Sequence, residues 1–146
     1  MGRLGSLEVL EGQFEEAEVG RIPARREVVD LLRARLDLLG GADRTLLKMY
    51  LDGGGSFDEL ARLAGMNRST VCRRIHRMIR RLCDETYTLC QANRRWFSES
   101  ELAIVRDHFV RGLSLKSICR DGNVGYYRAR AIIARARKLA RGEEDL

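Results

Sequence analysis

Cys72 and His76 stand four residues apart in the stretch MNRSTVCRRIHRMIRR, residues 66–81. On a helix that spacing puts a thiol and an imidazole one turn apart, where they could share a metal ion. Such a site does not find the company it needs. The remaining cysteines, Cys83, Cys90 and Cys119, form no close pair, and His108 is the only other histidine. No carboxylate dyad surrounds either histidine, and no glycine-rich phosphate loop is present. The sequence therefore implies no enzyme, no metal and no cofactor. The four cysteines read as free thiols of a reducing compartment.

The same stretch offers a second chemistry. Arg68, Arg73, Arg74, Arg77, Arg80 and Arg81 are threaded between Met66, Val71, Ile75, Met78 and Ile79. Positive charge this dense points to a polyanion, nucleic acid first. A solvated arginine-rich face is the bland alternative. A second basic cluster at 128–141 argues against it, because both clusters fall at the same place in a repeated motif.

These side chains need elements to hold them. With 45% hydrophobic residues, 33% charged, one proline and few aromatics, the chain reads as all-α. Its 146 residues suit one compact domain or two small ones. The net charge of +6 is uneven, since Glu8, Glu11, Glu15, Glu16 and Glu18 make the start acidic. Residues 1–23 are expected to be a flexible acidic segment, either a plain terminus or a tail that competes with the polyanion. No apolar run approaches membrane-spanning length and no signal peptide is evident, so a cytoplasmic protein without a membrane partner is expected.

The 3–4 spacing of Val28, Leu31, Leu32, Arg35, Leu36 and Leu39 predicts an N-terminal helix over 24–39, stopped by Gly40-Gly41. Asp43 is expected to cap a second helix with Leu46, Leu47, Tyr50 and Leu51 as its apolar set, broken at Gly53-Gly54-Gly55. Ser56 and Glu59 form a predicted capping box for a short helix ending at Gly65, and Asn67 opens the arginine-rich helix to about Cys83. Residues 84–97 read as a connector, either irregular or partly helical. Ser98 with Glu101, then Ser114, cap two further helices, and a long helix runs from Tyr126 to about Arg141.

Displaced by 58 positions, the second half falls on the first without a gap. Ser56 meets Ser114, Leu60 meets Ile118, Ala61 meets Cys119, Val71 meets Ala129, Ile75 meets Ile133 and Arg77 meets Arg135. The expected architecture is two tandem three-helix units, over 24–86 and 87–146, with an extra helix in front. Within the first copy, small Ala61 permits two helices to cross closely and Gly65 supplies the positive φ of a tight turn. Leu60, Ala64, Met66 and Val71 close a small core. This is the pattern of a helix-turn-helix. The second copy is degenerate, with Cys119 as its small buried residue, Asn123 at the turn and Ala129 as the packed residue.

The run DRTLLKMYLDGGGSFDELARLAGMNRSTVCRRIHRMIRRL resembles region 4 of the sigma-70-family transcription initiation factors. The likeness is carried by Leu51-Asp52-Gly53, by Ser56 to Ala61, by Gly65 and by Thr70-Val71. It covers about forty residues, with a fainter echo at 98–141. The glycines at 53–55 lengthen the family's break, and nothing resembles its promoter-melting region. The resemblance thus implies a DNA-reading module rather than a whole initiation factor, with double-stranded DNA as partner and RNA polymerase as a further candidate.

A recognition helix enters the major groove by its N-terminal half. With Val71, Ile75, Met78, Ile79 and Leu82 facing inward, Asn67, Arg68, Ser69, Cys72, Arg73 and His76 face outward. Arg68 and Arg73 could each grip a guanine, while Asn67 is either a base contact or only a cap. Thr70, Arg74, Arg77 and Arg80 lie on the phosphate flanks. In the second copy Tyr126, Tyr127 and Arg130 would face bases and Arg128, Arg135 and Lys138 phosphates. Inter-domain packing is the alternative for the two tyrosines. The functional expectation is a sequence-specific transcription regulator, acting as a monomer or a homodimer. A module docking on RNA polymerase, or a DNA-binding subunit of a recombination or packaging system, are the other readings.

Overall fold

The computed structural model describes residues 25–53 and 56–143. The acidic segment expected at the start and most of the Gly53–Gly55 break lie outside them. Every regular element among the described residues is helical, with no strand. None of these helices is long and apolar enough to cross a membrane. The chain divides after Cys83 into two units.

The first unit begins with α1 (Arg25–Arg35), continued by a 3-10 turn at Leu36–Leu38. The sequence predicts one helix to 39. The tightening at Leu36 instead turns Leu36 and Leu39 into the core together with Val28 and Leu32. α2 follows (Gly41–Asp52), then α3 (Phe57–Ala64) and α4 (Arg68–Cys83). Asp43 does not cap α2, as the sequence predicts. Gly40 is the cap residue, without a side-chain hydrogen bond, and Asp43 sits inside the first turn with its carboxylate free for another partner. Ser56 caps α3 by accepting from the Glu59 N–H, and Gly65 ends it in the left-handed region at φ 68°. Glycine, with no Cβ, takes that turn at the least steric cost.

α4 is the pillar of the unit. Val71, Ile75, Met78 and Ile79 are wholly buried, and α1, α2 and α3 all pack on it. Arg35 ties α1 to its end, donating to the Leu82 carbonyl at 2.7 Å, a group in the last turn with no intrahelical donor. The core of the tight turn is smaller than predicted. Leu60 and Val71 are buried, but Ala64 is exposed and Met66 half-buried, since both lie at the rim where α3 ends.

The second unit contains α5 (Thr86–Ala92), a 3-10 turn at Arg94–Trp96, α6 (Glu99–Phe109), α7 (Leu115–Gly122) and α8 (Tyr126–Ala140). The segment predicted as a connector is thus largely structured. Thr86, Tyr87, Cys90 and Phe97 are buried, and α5 packs against α8 and α6. The division accordingly falls at Cys83, ahead of the expected 86. Ser98 and Glu101 make both halves of a capping box, Ser114 caps α7, and Asn123 takes the left-handed turn at φ 51°. Ala129, Ile132, Ile133 and Ala136 are buried, whereas Cys119 is only half-buried.

The 58-residue displacement extends further than side-chain character alone suggests. Leu36–Leu38 and Arg94–Trp96 are both 3-10 turns, and Phe57–Ala64 and Leu115–Gly122 are both eight-residue helices. α1 answers to α5, and every packed pair of helices in one unit recurs in the other. Each unit is therefore four helices and a 3-10 turn, not three helices. Val28 and Thr86, Leu32 and Cys90, and Leu39 and Phe97 are matched buried positions that lie ahead of the residues paired from the sequence.

Ile75→Ala is expected to cost about 2–5 kcal/mol in urea unfolding, because it opens a cavity at a wholly buried site. Leu63→Ala, at a side chain 58% exposed, should stay within about 0.5 kcal/mol of the parent.

Candidate nucleic-acid interface

α4 carries six arginines and no acid, and α8 four arginines, one lysine and no acid. Neither helix neutralises its own charge, so the fate of each cation depends on what the rest of its unit places beside it.

The pole of α4 opposite the buried stripe is formed by Ser69, Arg73, His76 and Arg80, at i, i+4, i+7 and i+11. Arg73 and Arg77 are exposed, and among the described residues no carboxylate pairs with either. His76 is half-buried, with its Nε2 3.7 Å from the Cys72 sulfur. Burial pushes its pKa below the ordinary histidine value, and the Arg80 charge pushes the same way. The ring is therefore neutral near pH 7 and offers a hydrogen bond rather than a charge.

Several of the contacts predicted on the first unit are engaged inside the protein. Asn67 acts as the helix cap, its Oδ1 accepting from the Thr70 N–H and the Ser69 hydroxyl, both at 2.9 Å. Thr70 is half-buried in that turn. Arg68 leans back over α3, 3.1 Å from Asp58 and with its guanidinium 5.9 Å from the Phe57 ring centre. Both members of that pair are well exposed, so the contact is weak and leaves Arg68 available. Arg74, predicted on the phosphate flank, is held more firmly. Its Nε and Nη2 donate to Asp43 Oδ1 at 3.1 and 2.7 Å, and its Nη1 reaches the Met66 sulfur at 3.7 Å. Arg81 adds a second cation 3.8 Å from the same carboxylate. Asp43 is thus a strut between α2 and α4 that the sequence does not announce.

α8 presents a different surface. Its pole is Tyr127, Ala131, Ala134 and Lys138, all exposed. Tyr127 is 82% and Tyr126 49% exposed, their rings edge to face at 5.7 Å. Arg128 and Arg130 are exposed beside them. Arg135, predicted to meet phosphate, is instead bound to Glu101, donates to the Trp96 carbonyl at 3.3 Å, and lies over the Phe97 ring at 5.1 Å. Glu101 is simultaneously the capping-box acid of α6, accepting from the Ser98 N–H at 2.9 Å. Burial works against its charged form, but the Ser98 N–H and the Arg135 charge outweigh it and hold the carboxyl below the ordinary glutamate value.

The two struts are related but not identical. Glu101 stands 58 positions after Asp43, whereas Arg135 stands 58 after Arg77 and not after Arg74. The arginine used has moved by one helical turn. Ile132, which is buried, replaces Arg74, and the arginine at the next turn takes over the acid. In the first unit Arg77 stays unengaged; in the second its counterpart is committed.

Among the described residues, no group of three or more His, Cys, Asp or Glu side chains is gathered as a metal ion would require. Burial pushes the Cys90 thiol up to about 11, which makes it a core group rather than a nucleophile.

A depressed carboxyl pKa stabilises the fold above the unfolded-state value and loses that contribution as pH falls through the folded value. The parent should therefore lose stability on the acid side of the ordinary glutamate range. Glu101→Gln should flatten that part of the pH profile, as read by urea unfolding at several pH values. Arg74→Ala, which leaves Asp43 beside only the more distant Arg81, should cost about 1 kcal/mol.

Comparison of the chain with protein-family models, with curated proteins and with solved structures finds no match.

Proposed function

We propose that the chain is a DNA-binding transcription regulator built from two tandem helix-turn-helix units, with α4 and α8 as their recognition helices. The observation that carries this reading is the division of α4 into opposite faces. One side is wholly buried through Val71, Ile75, Met78 and Ile79, and the other presents Arg73 and Arg77 without a pairing acid. A cationic helix fixed so firmly by its back, with Arg73 and Arg77 unneutralised on its front, suits a polyanionic groove. The short α3, the left-handed Gly65 and the following basic helix support the region 4 likeness, and α7, Asn123 and α8 repeat the order.

On this reading Arg73 is the base reader at the centre of the α4 pole, and Ser69 and neutral His76 lie beside it. Arg77 and Arg80 meet phosphates. Asn67 and Arg74 shape the helix and its support. RNA polymerase and a cytoplasmic setting belong to the same proposal.

Binding of the full chain to mixed-sequence duplex DNA, followed by fluorescence anisotropy across salt, tests it. The expected result is a log–log slope equivalent to several neutralised phosphates. Arg77→Ala should weaken binding to all sequences alike and reduce the slope by about 1. Arg73→Ala should cost roughly 1–3 kcal/mol at a selected site and relax preference at one base pair. A flat salt response with no binding near physiological ionic strength would defeat the proposal.

A further inference from the structure

The poles of the two long helices occupy equivalent positions and carry opposite chemistry. Ser69, Arg73, His76 and Arg80 become Tyr127, Ala131, Ala134 and Lys138 after displacement by 58. The α4 pole is polar throughout, and its Ser69 hydroxyl already donates to Asn67. The α8 pole offers two alanine methyls and a tyrosine ring that ends in a hydroxyl, all three side chains exposed.

We propose that α8 reads thymine-rich DNA through the C5-methyl groups in the major groove, while α4 reads guanine. This rests on the DNA-binding reading above and deepens it for the second unit.

Each base pair shows a distinct edge in the major groove. Guanine offers two acceptors, which an arginine fork matches, and thymine offers a methyl group, which alanine and ring carbons match. The α8 pole has alanine at its centre, where α4 has Arg73, and its arginines, Arg128 and Arg130, stand to the sides. It has instead an exposed aromatic ring at its N-terminal end, where a recognition helix enters the groove deepest. The two alanines that follow are small enough for the helix to come close to the base edges. Tyr126 lies edge to face with Tyr127, a contact that favours one direction of the exposed ring.

Charge decides the occupant. The apolar row is flanked by Arg128 and Arg130 and ended by Lys138, all exposed, and among the described residues no carboxylate pairs with any of them. α8 itself contains no acid. An apolar stripe bordered by unneutralised cations on both sides fits a methyl-lined groove between two rows of phosphates.

The test uses the full chain and a duplex selected from random sequence. The selected duplex is then resynthesised with deoxyuridine in place of thymidine, which removes the methyl groups and keeps every Watson–Crick pair. The expected outcome is a loss of about fourfold in affinity for each contacted methyl, confined to one part of the site. Tyr127→Ala should lower affinity for the thymidine duplex and shrink the deoxyuridine effect, and Ala131→Gln should do the same by blocking close approach. Arg73→Ala should leave the deoxyuridine effect unchanged. Salt-dependent binding that is indifferent to deoxyuridine would overturn this inference and leave the DNA reading standing. So would a deoxyuridine effect that survives both α8 variants, or an α8 pole that instead retains a protein partner in the presence of excess duplex. Absence of salt-dependent binding to any duplex would overturn both.

Discussion

The structure depends on one constraint: α4 must surrender one side entirely to the core while keeping Arg73 and Arg77, on the other, clear of a pairing acid. The two demands pull against each other. Burial of Val71, Ile75, Met78 and Ile79 draws α1, α2 and α3 close around the helix, and neighbouring helices bring acids. The unit resolves this by placing Asp43 on the flank, where Arg74 and Arg81 absorb it. Asp58, the nearest acid on α3, reaches only Arg68 at the beginning of the helix. The central pole, with Arg73, and neighbouring Arg77 remain outside both pairs.

The second unit meets the same constraint with other side chains. Its core along α8 is built from Ala129, Ile132, Ile133 and Ala136, smaller on balance than the first. α5 packs against this thinner helix, and Phe97 adds an aromatic ring to the core beneath Arg135. Glu101 then serves two functions at once, closing the N-terminus of α6 and holding Arg135. The capping box and the strut share a carboxylate, so helix start and helix packing are coupled in this unit. In the first unit they are separate, because Gly40 precedes α2 as a cap residue without a side-chain hydrogen bond.

Much of this was legible in the residues. The inward rows of α4 and α8 follow directly from 3.6-residue periodicity, and Ser98 with Glu101, Ser114, Gly65 and Asn123 mark the boundaries they occupy. Less legible was α5, whose Thr86 and Cys90 are weak apolar signals and whose seven residues span barely two turns. The struts were illegible for a different reason. An arginine on a helix flank looks the same in sequence whether it meets phosphate or a carboxylate 31 residues away, as Arg74 does. Asp43 has the composition of a cap, and only the earlier helix start at Gly41 frees it for Arg74.

The shift of the strut arginine by one turn also bears on the order of events in solution. Long-range attraction to a polyanion scales with the cations a surface leaves uncompensated. α4 keeps Arg77 in play where α8 has tied its counterpart down, but α8 offers Arg128, Arg130 and Lys138, so on the DNA reading both units draw on electrostatic steering. Once either has landed, the other, joined to it by the chain at Cys83–Asp84, arrives not from bulk solution but at the high local concentration that a short tether imposes.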